Sequence, residues 1–208
     1  MDSLIPRSST SYDERELPSV CQSLAAALVD DPFYQAVTVD FETDAPRRQW
    51  ILARYFQLAL EEANGVGEVQ CAGTDGAAIW ITNEASDADI ARYGKAREGA
   101  LVELLGTKGY ESYVRISKLM SNNLPVGLAN AWYLSILGVR PAARGRRLAQ
   151  QLLEKTMRRA DQVGATCFLE TFNPLSLPFY ERLGFKQEKR CFEEVTARPY
   201  WILTRRTA

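Results

Sequence analysis

Histidine is absent from the chain. Without imidazole there is no Ser-His-Asp or Cys-His nucleophile system and no ordinary zinc site, because each depends on that ring near neutral pH. Proton transfer must fall to Glu, Asp, Tyr, Lys, main-chain groups or water. Cysteine is sparse: Cys21, Cys71, Cys167 and Cys191 stand alone, with no CxxC pair. They read as free, mostly buried thiols of a protein in a reducing cytoplasm, and no metal is expected. Long apolar runs are missing too. None approaches the ~20 residues needed to cross a bilayer, and Met1 to Thr10 lacks the basic, apolar, small-residue order of a signal peptide. Nor does one sign of charge dominate. The formal net charge is −1, which gives no general attraction to nucleic acid or to an anionic membrane. The nucleotide-binding pattern Gly-x4-Gly-Lys-Ser/Thr does not occur either.

What is present is an ordinary globular mixture, 46% hydrophobic and 25% charged over 208 residues, long enough to bury one sizeable core. With no repeats or low-complexity linker, residues 1–208 are expected to form a single domain. Residues 3–9 read as a short strand. A helix is predicted from near Pro18, with Val20, Leu24 and Leu28 on one face, and a second from Pro46. The second is apolar nearly all round (Trp50, Ile51, Leu52, Tyr55, Phe56, Leu60), which implies deep burial. Gly73-Thr74-Asp75-Gly76 separates strand-like runs at 66–72 and 77–82 and reads as a hairpin turn. Residues 86–122 read as helical. Within them Tyr113, Ile116 and Met120 recur at helical spacing, which core packing explains.

The second half has a clearer pattern. Ala131 to Val139 is a continuous apolar run, as expected of a central strand covered on both faces. A helix from about Gly145 to Val163, a strand over Thr166–Thr171, a short helix over 174–183 and a strand pair at 185–194 and 199–205 follow. Strand, helix, strand in that order implies parallel neighbours joined by a crossover. The junction Val139-Arg140-Pro141-Ala142-Ala143-Arg144-Gly145-Arg146-Arg147-Leu148-Ala149 runs from strand to helix with several arginines. Main-chain N–H groups and a positive dipole end pointing outward there make an anion site. A solvated basic helix start accounts for the loop equally well.

Arg144 to Ala149 resembles the pyrophosphate loop, Q/R-x-x-G-x-G/A, of the GCN5-related N-acetyltransferases (GNAT). Arg147 departs from it, occupying the place of the central glycine; a residue with helical angles has no need of glycine there. Asn173, seven residues before Tyr180, reproduces that superfamily's N-x-x-A-x-x-x-Y spacing, with Ser176 in place of alanine. Within the superfamily, AWYLSILGV, Phe168 to Thr171 and Leu177 to Phe185 resemble the puromycin N-acetyltransferase group. The N-terminal half matches loosely, chiefly around Asp75 to Trp80.

This resemblance implies an α/β fold with a mixed central sheet of six to seven strands flanked by helices, its two central parallel strands splayed to admit acetyl-CoA. It implies direct transfer of acetyl to an amine within a ternary complex. Leu137, Gly138, Val139, Arg144, Gly145, Arg146, Arg147, Leu148, Ala149, Asn173 and Tyr180 are then the residues expected at acetyl-CoA. Tyr180 would protonate the departing thiolate, and the N–H of Leu137 or a neighbour would hold the oxyanion. Gly138 fits a local irregularity of the strand, a bulge or a close backbone approach. Glu170 is the best carboxylate for the base; acting through water, orienting the amine or pairing with an arginine are its alternatives. The N-terminal half supplies acceptor residues in this superfamily, and Phe33, Tyr34, Trp80, Trp132, Tyr133 and Phe172 are the aromatics placed there. With that resemblance they favour a small-molecule primary amine bearing an aromatic or aminoacyl group, and core packing accounts for most of these aromatics equally well. A protein or peptide acceptor and a non-catalytic acetyl-CoA-binding module are the competing readings.

Overall fold

The computed structural model describes residues 17–206; the strand expected over residues 3–9 lies outside them. Helix α1 (Ser19–Leu28) begins directly after Pro18 and buries Cys21, Leu24 and Ala25. Helix α2 (Pro32–Val37) is an element that the sequence reading did not separate. It starts where Asp31 Oδ1 accepts the N–H of Phe33 at 2.9 Å, with Pro32 in the first turn. Helix α3 (Ala45–Val66) is capped by Asp44 and buries Leu52, Phe56 and Ala63 among others, in keeping with its nearly continuous apolar surface. Strands β1 (Gly67–Cys71) and β2 (Gly76–Ile81) form the expected hairpin, and Gly73 in its turn has φ +56°.

The helical stretch after β2 is two helices, α4 (Asp87–Leu104) and α5 (Gly106–Asn123). The break falls at Gly106, with φ +72°, and the carboxylate of Asp40 accepts the N–H groups of Lys108 and Gly109 in the first turn of α5. A cap supplied from more than sixty residues away leaves no local signal, so helical periodicity runs through the break. Strand β3 (Trp132–Val139), helix α6 (Leu148–Val163), strand β4 (Cys167–Thr171), helix α7 (Leu177–Arg182) and strands β5 (Lys186–Glu193) and β6 (Arg198–Arg205) complete the order.

The strands form one six-stranded mixed sheet in the order β1-β2-β3-β4-β6-β5, and β3–β4 is the parallel pair. One face packs α1 and α3 against Ala77, Ile79 and Ile136. The other packs α6 against Trp80, Trp132, Leu134 and Leu169. Helices flank a mixed sheet, as in the GNAT fold.

Two irregularities shape the middle of this sheet. Strands β3 and β4 pair through Trp132–Leu134 and Cys167–Leu169 and no further, although both run on beyond that point. Opposite β2, Trp80 faces Leu134 while Ile79 faces Ile136, so Ser135 is an extra residue in β3. This bulge switches the side-chain alternation: Leu134 points to the α6 face and Ile136 to the α1 and α3 face. The irregularity expected at Gly138 thus sits three residues earlier. Gly138 instead serves close approach, since a Cβ there would lie 2.7 Å from Leu24 Cδ2 of α1.

Candidate active site

Where β3 and β4 part, a cavity of about 360 Å³ opens, within the size range of small-molecule sites. It passes through the sheet. Phe33, Tyr34 and Tyr55 wall it on the α3 side, Tyr180 and Leu137 on the α6 side, and Ser135 and Thr171 at the two strand edges. Beyond Leu134 the edge of β3 toward β4 has no strand partner. Main-chain groups on that edge are left for water or a ligand.

Two carboxyl groups line the cavity. Glu170, at the diverging end of β4, accepts the hydroxyl of Tyr133 on Oε2 at 3.3 Å, while Oε1 is buried without a partner. Burial raises the Glu170 carboxyl to about 7, against a smaller lowering by the Tyr133 hydrogen bond. No arginine pairs with it among the described residues. Asp31, the cap of α2, is raised by burial to about 6, the N–H groups of Phe33 and Tyr34 pulling the other way. Tyr180, on α7, is buried at the same cavity, and desolvation with a smaller contribution from Asp31 holds its phenol well above its usual range. The site therefore combines carboxyl groups that exchange protons near neutral pH with a phenol that stays protonated there.

The loop after β3 lies beyond the strand's C-terminal end. Arg147 is the N-cap of α6 in the left-handed region, φ 59° and ψ 18°, and makes no side-chain cap. The sequence reading gave it helical angles that need no glycine; the backbone in fact takes the conformation that glycine favours, which costs roughly 1–2 kcal/mol for an L-residue. With no cap and the first helical bond formed by Gln151 N–H to Arg147 C=O, the N–H groups of Leu148, Ala149 and Gln150 point outward unpaired. Gly145 precedes them with φ +81°. Arg146 is engaged elsewhere: its Nη1 donates to Asp75 Oδ2 at 2.8 Å, and Arg140 Nε donates to Asp75 Oδ1 at 2.6 Å. Arg144 donates to the carbonyl of Ala27 at 3.3 Å. Asp75, in the β1–β2 turn, is held below the ordinary carboxylate range by the Arg140 hydrogen bond first and Arg146 next.

Of the residues singled out in the sequence, the cavity brings together Phe33, Tyr34, Tyr133, Leu137, Glu170, Phe172 and Tyr180. Trp80 is not among them. Its ring is fully buried on the α6 face, and Trp132 lies on that face too, its Nε1 donating to Asn83 at 2.9 Å. Even positions before the bulge face α6, which puts both indoles in the core. Gly138 and Val139 lie past the cavity along β3. Asn173 accepts the N–H of Leu175 on Oδ1 at 3.0 Å and closes the turn from β4 into α7. Ser176, in place of the alanine, donates to the Asn173 carbonyl at 2.7 Å and stiffens the same turn.

Sequence reasoning missed Asp31, Arg97, Tyr55 and Tyr113 as cavity residues. Asp31-Pro32 is an N-cap signature and marked a helix start there. Arg97 has no such signal, because its place follows from how α4 packs on α3. The Tyr113–Ile116–Met120 stripe divides: Ile116 is core, while Tyr113 and Met120 line the cavity.

Among the described residues no group of His, Cys, Asp or Glu is gathered where it would hold a metal ion, and no helix is long and apolar enough to cross a membrane. Residues 98–185 match the model of the acetyltransferase (GNAT) family. A structure of histone acetyltransferase HPA2 and related acetyltransferase from Corynebacterium glutamicum superposes with a TM-score of 0.64 at 19% identity, covering 94% of this chain and 93% of that one. Arylalkylamine N-acetyltransferase 2 from Aedes aegypti superposes with a TM-score of 0.58 at 17% identity, covering 91% and 94%. At such identities the likeness speaks for the fold. Segment 98–185 carries the sequence pattern of the GNAT acetyltransferases, and the chain has their fold.

Proposed function

We propose that the protein is a GNAT-superfamily N-acetyltransferase that uses acetyl-CoA to acetylate a primary amine of a small molecule, by direct transfer in a ternary complex. The puromycin N-acetyltransferase group is the part of the superfamily its C-terminal half resembles. The reading rests on one observation above all. Glu170 and Tyr180, one group tuned toward neutrality and one held protonated, border the same cavity in the β3–β4 gap.

The residues around the gap suit the donor. The unpaired edge of β3 beyond Leu134 offers main-chain groups to an extended pantetheine arm. The uncapped N–H groups at the start of α6 suit its pyrophosphate, with Arg144 and Arg147 adding charge. Arg146, held by Asp75, has the role of fixing the loop to the β1–β2 turn. Acetyl-CoA supplies the activated acetyl group. Glu170, as the carboxylate, takes the proton from the incoming ammonium. An N–H near Leu137 steadies the carbonyl oxygen as it gains charge, and Tyr180 gives its proton to the departing sulfur. The cavity's enclosure by tyrosine and phenylalanine rings supports a small, partly apolar amine over a polypeptide chain.

Thermal unfolding with and without acetyl-CoA tests the proposal, with ATP as the phosphate-bearing control. A ligand present at a hundred times its Kd stabilises the fold by about 2.7 kcal/mol. The expected result is a rise specific to acetyl-CoA, followed by amine-dependent thiol release. A rise with thiol release that no amine stimulates would favour a binding module, and no rise at millimolar acetyl-CoA would overturn the proposal.

A further inference from the structure

Arg97 is the least explained polar group at the cavity. It projects from α4 and is largely buried, its side chain 15% exposed, with Nη1 donating to Glu62 Oε2 of α3 at 2.8 Å. Its guanidinium lies over the ring of Tyr55 at 5.2 Å. Nε is buried and has no hydrogen-bond partner, though Arg97 lines the same cavity as Glu170 and Asp31. A buried N–H on a charged group is costly to leave unsatisfied. The ion pair to Glu62 balances the charge and fixes the side chain through Nη1, and Nε–H is left without a protein partner.

We infer that Arg97 is a specificity-determining residue for the acceptor: its Nε–H binds a neutral oxygen of the amine substrate, so the preferred acceptors are amines that also carry a carbonyl or similar hydrogen-bond-accepting oxygen. The inference rests on the proposed function for the meaning of "acceptor", and on the orphan donor for the chemistry. A carboxylate is the poorer partner for two reasons. Glu62 already balances the guanidinium, and Asp31 and Glu170 would repel a second anion in the same small space. A plain hydrocarbon amine would satisfy the carboxylates and leave Nε–H unpaired. Recognition by an otherwise unsatisfied buried donor discriminates more strongly than added apolar contact, because the competitor lacking the oxygen leaves that donor bare.

The test compares matched pairs of amines that differ by the oxygen-bearing group: L-phenylalaninamide with 2-phenylethylamine, and L-leucinamide with 3-methylbutylamine, with L-phenylalanine as the anionic member. Affinities are read from thermal unfolding titrations without donor, and kcat/KM from thiol release with acetyl-CoA. The variants are Arg97→Lys, which keeps a cation for Glu62, and Arg97→Gln. Amine basicity differs within each pair, but the same difference enters every variant, so a change in preference reports Arg97. A ratio taken on one preparation is also insensitive to how much of a variant is folded.

The wild type is expected to favour the amide over the amine in at least one pair, and both variants to cut that preference by about tenfold, the scale of one hydrogen bond to a charged group. L-Phenylalanine is expected to gain nothing over 2-phenylethylamine. Equal affinity for amide and amine in both pairs, or a preference that survives in both variants, overturns the inference. Should acetyl-CoA cause no stabilisation and no amine be acetylated, the proposed function fails while the binding titrations still decide the role of Arg97.

Discussion

Trp132 and Tyr133 are neighbours on one strand, both aromatic and both largely buried, yet they belong to different chemistry. Trp132 faces α6, lies beneath the guanidinium of Arg159 at 4.6 Å and packs with Trp80, Leu134 and Leu169. Tyr133 faces the cavity and donates to Glu170. Around Trp132 the α6 side of the sheet centre is apolar core, with Tyr180 at its cavity rim, while the side toward α2, α3 and α5 gathers Asp31, Arg97, Glu170 and the other cavity tyrosines. Aromatic content does not separate the two faces. Carboxyl groups raised by burial do, since burying charge is tolerated where it does work or finds a partner. Ser135 is the hinge between the faces, because one extra residue reverses which side chains look into the gap.

If the faces differ in this way, substitutions on them should differ in kind. The largest effect belongs to Glu170→Gln, which should lower kcat by roughly 10²–10⁴ as befits loss of a general base. The same change should stabilise the protein at pH 8 and leave it little altered near pH 4. The folded carboxyl titrates near 7 against 4.5 ordinarily, so the folded state holds a proton that the unfolded state has released. Stability is then lost as pH rises through about 7, by up to about 3 kcal/mol, and glutamine, which has no proton to lose, escapes that loss. A lower melting temperature for Glu170→Gln at pH 8 would break the comparison.

Trp80→Ala should cost about 3–5 kcal/mol of stability by emptying the α6 side, with acceptor KM little changed in the protein that folds. A large rise in acceptor KM at full stability would restore Trp80 to the pocket. Tyr180→Phe should reduce kcat by about tenfold to a hundredfold with a smaller change in the KM for acetyl-CoA, consistent with loss of a proton donor. The smallest effect is expected at Arg147→Gly, a gain of about 1 kcal/mol from relieving left-handed strain. It should come with weaker, less salt-sensitive binding of acetyl-CoA if the side chain contributes charge.

Much of the proposed donor side was legible because its signals are local. A strand ending in proline, a basic turn and an amphipathic helix occupy adjacent stretches of chain, and Asn173 to Tyr180 spans one turn and one short helix. The proposed acceptor side was legible in composition and not in place. Phe33 and Tyr34 line the cavity, but Trp80 faces α6 with Ala78, because the alternation of β2 shows which residues share a face and not which face meets the cavity. Arg97 and Asp31 reach the cavity by the packing of α4 and α2, which no local spacing encodes. The break at Gly106 was hidden for the same reason, its cap coming from Asp40.

The measurement that bears most directly on the central claim is the pH dependence of amine-stimulated thiol release in the wild type and in Glu170→Gln. The account predicts a wild-type rate that climbs through about pH 7 as Glu170 ionises, and a variant that is slow and lacks that limb. Profiles of the same shape and height in the two proteins would contradict it, leaving the β3–β4 cavity without its proposed base.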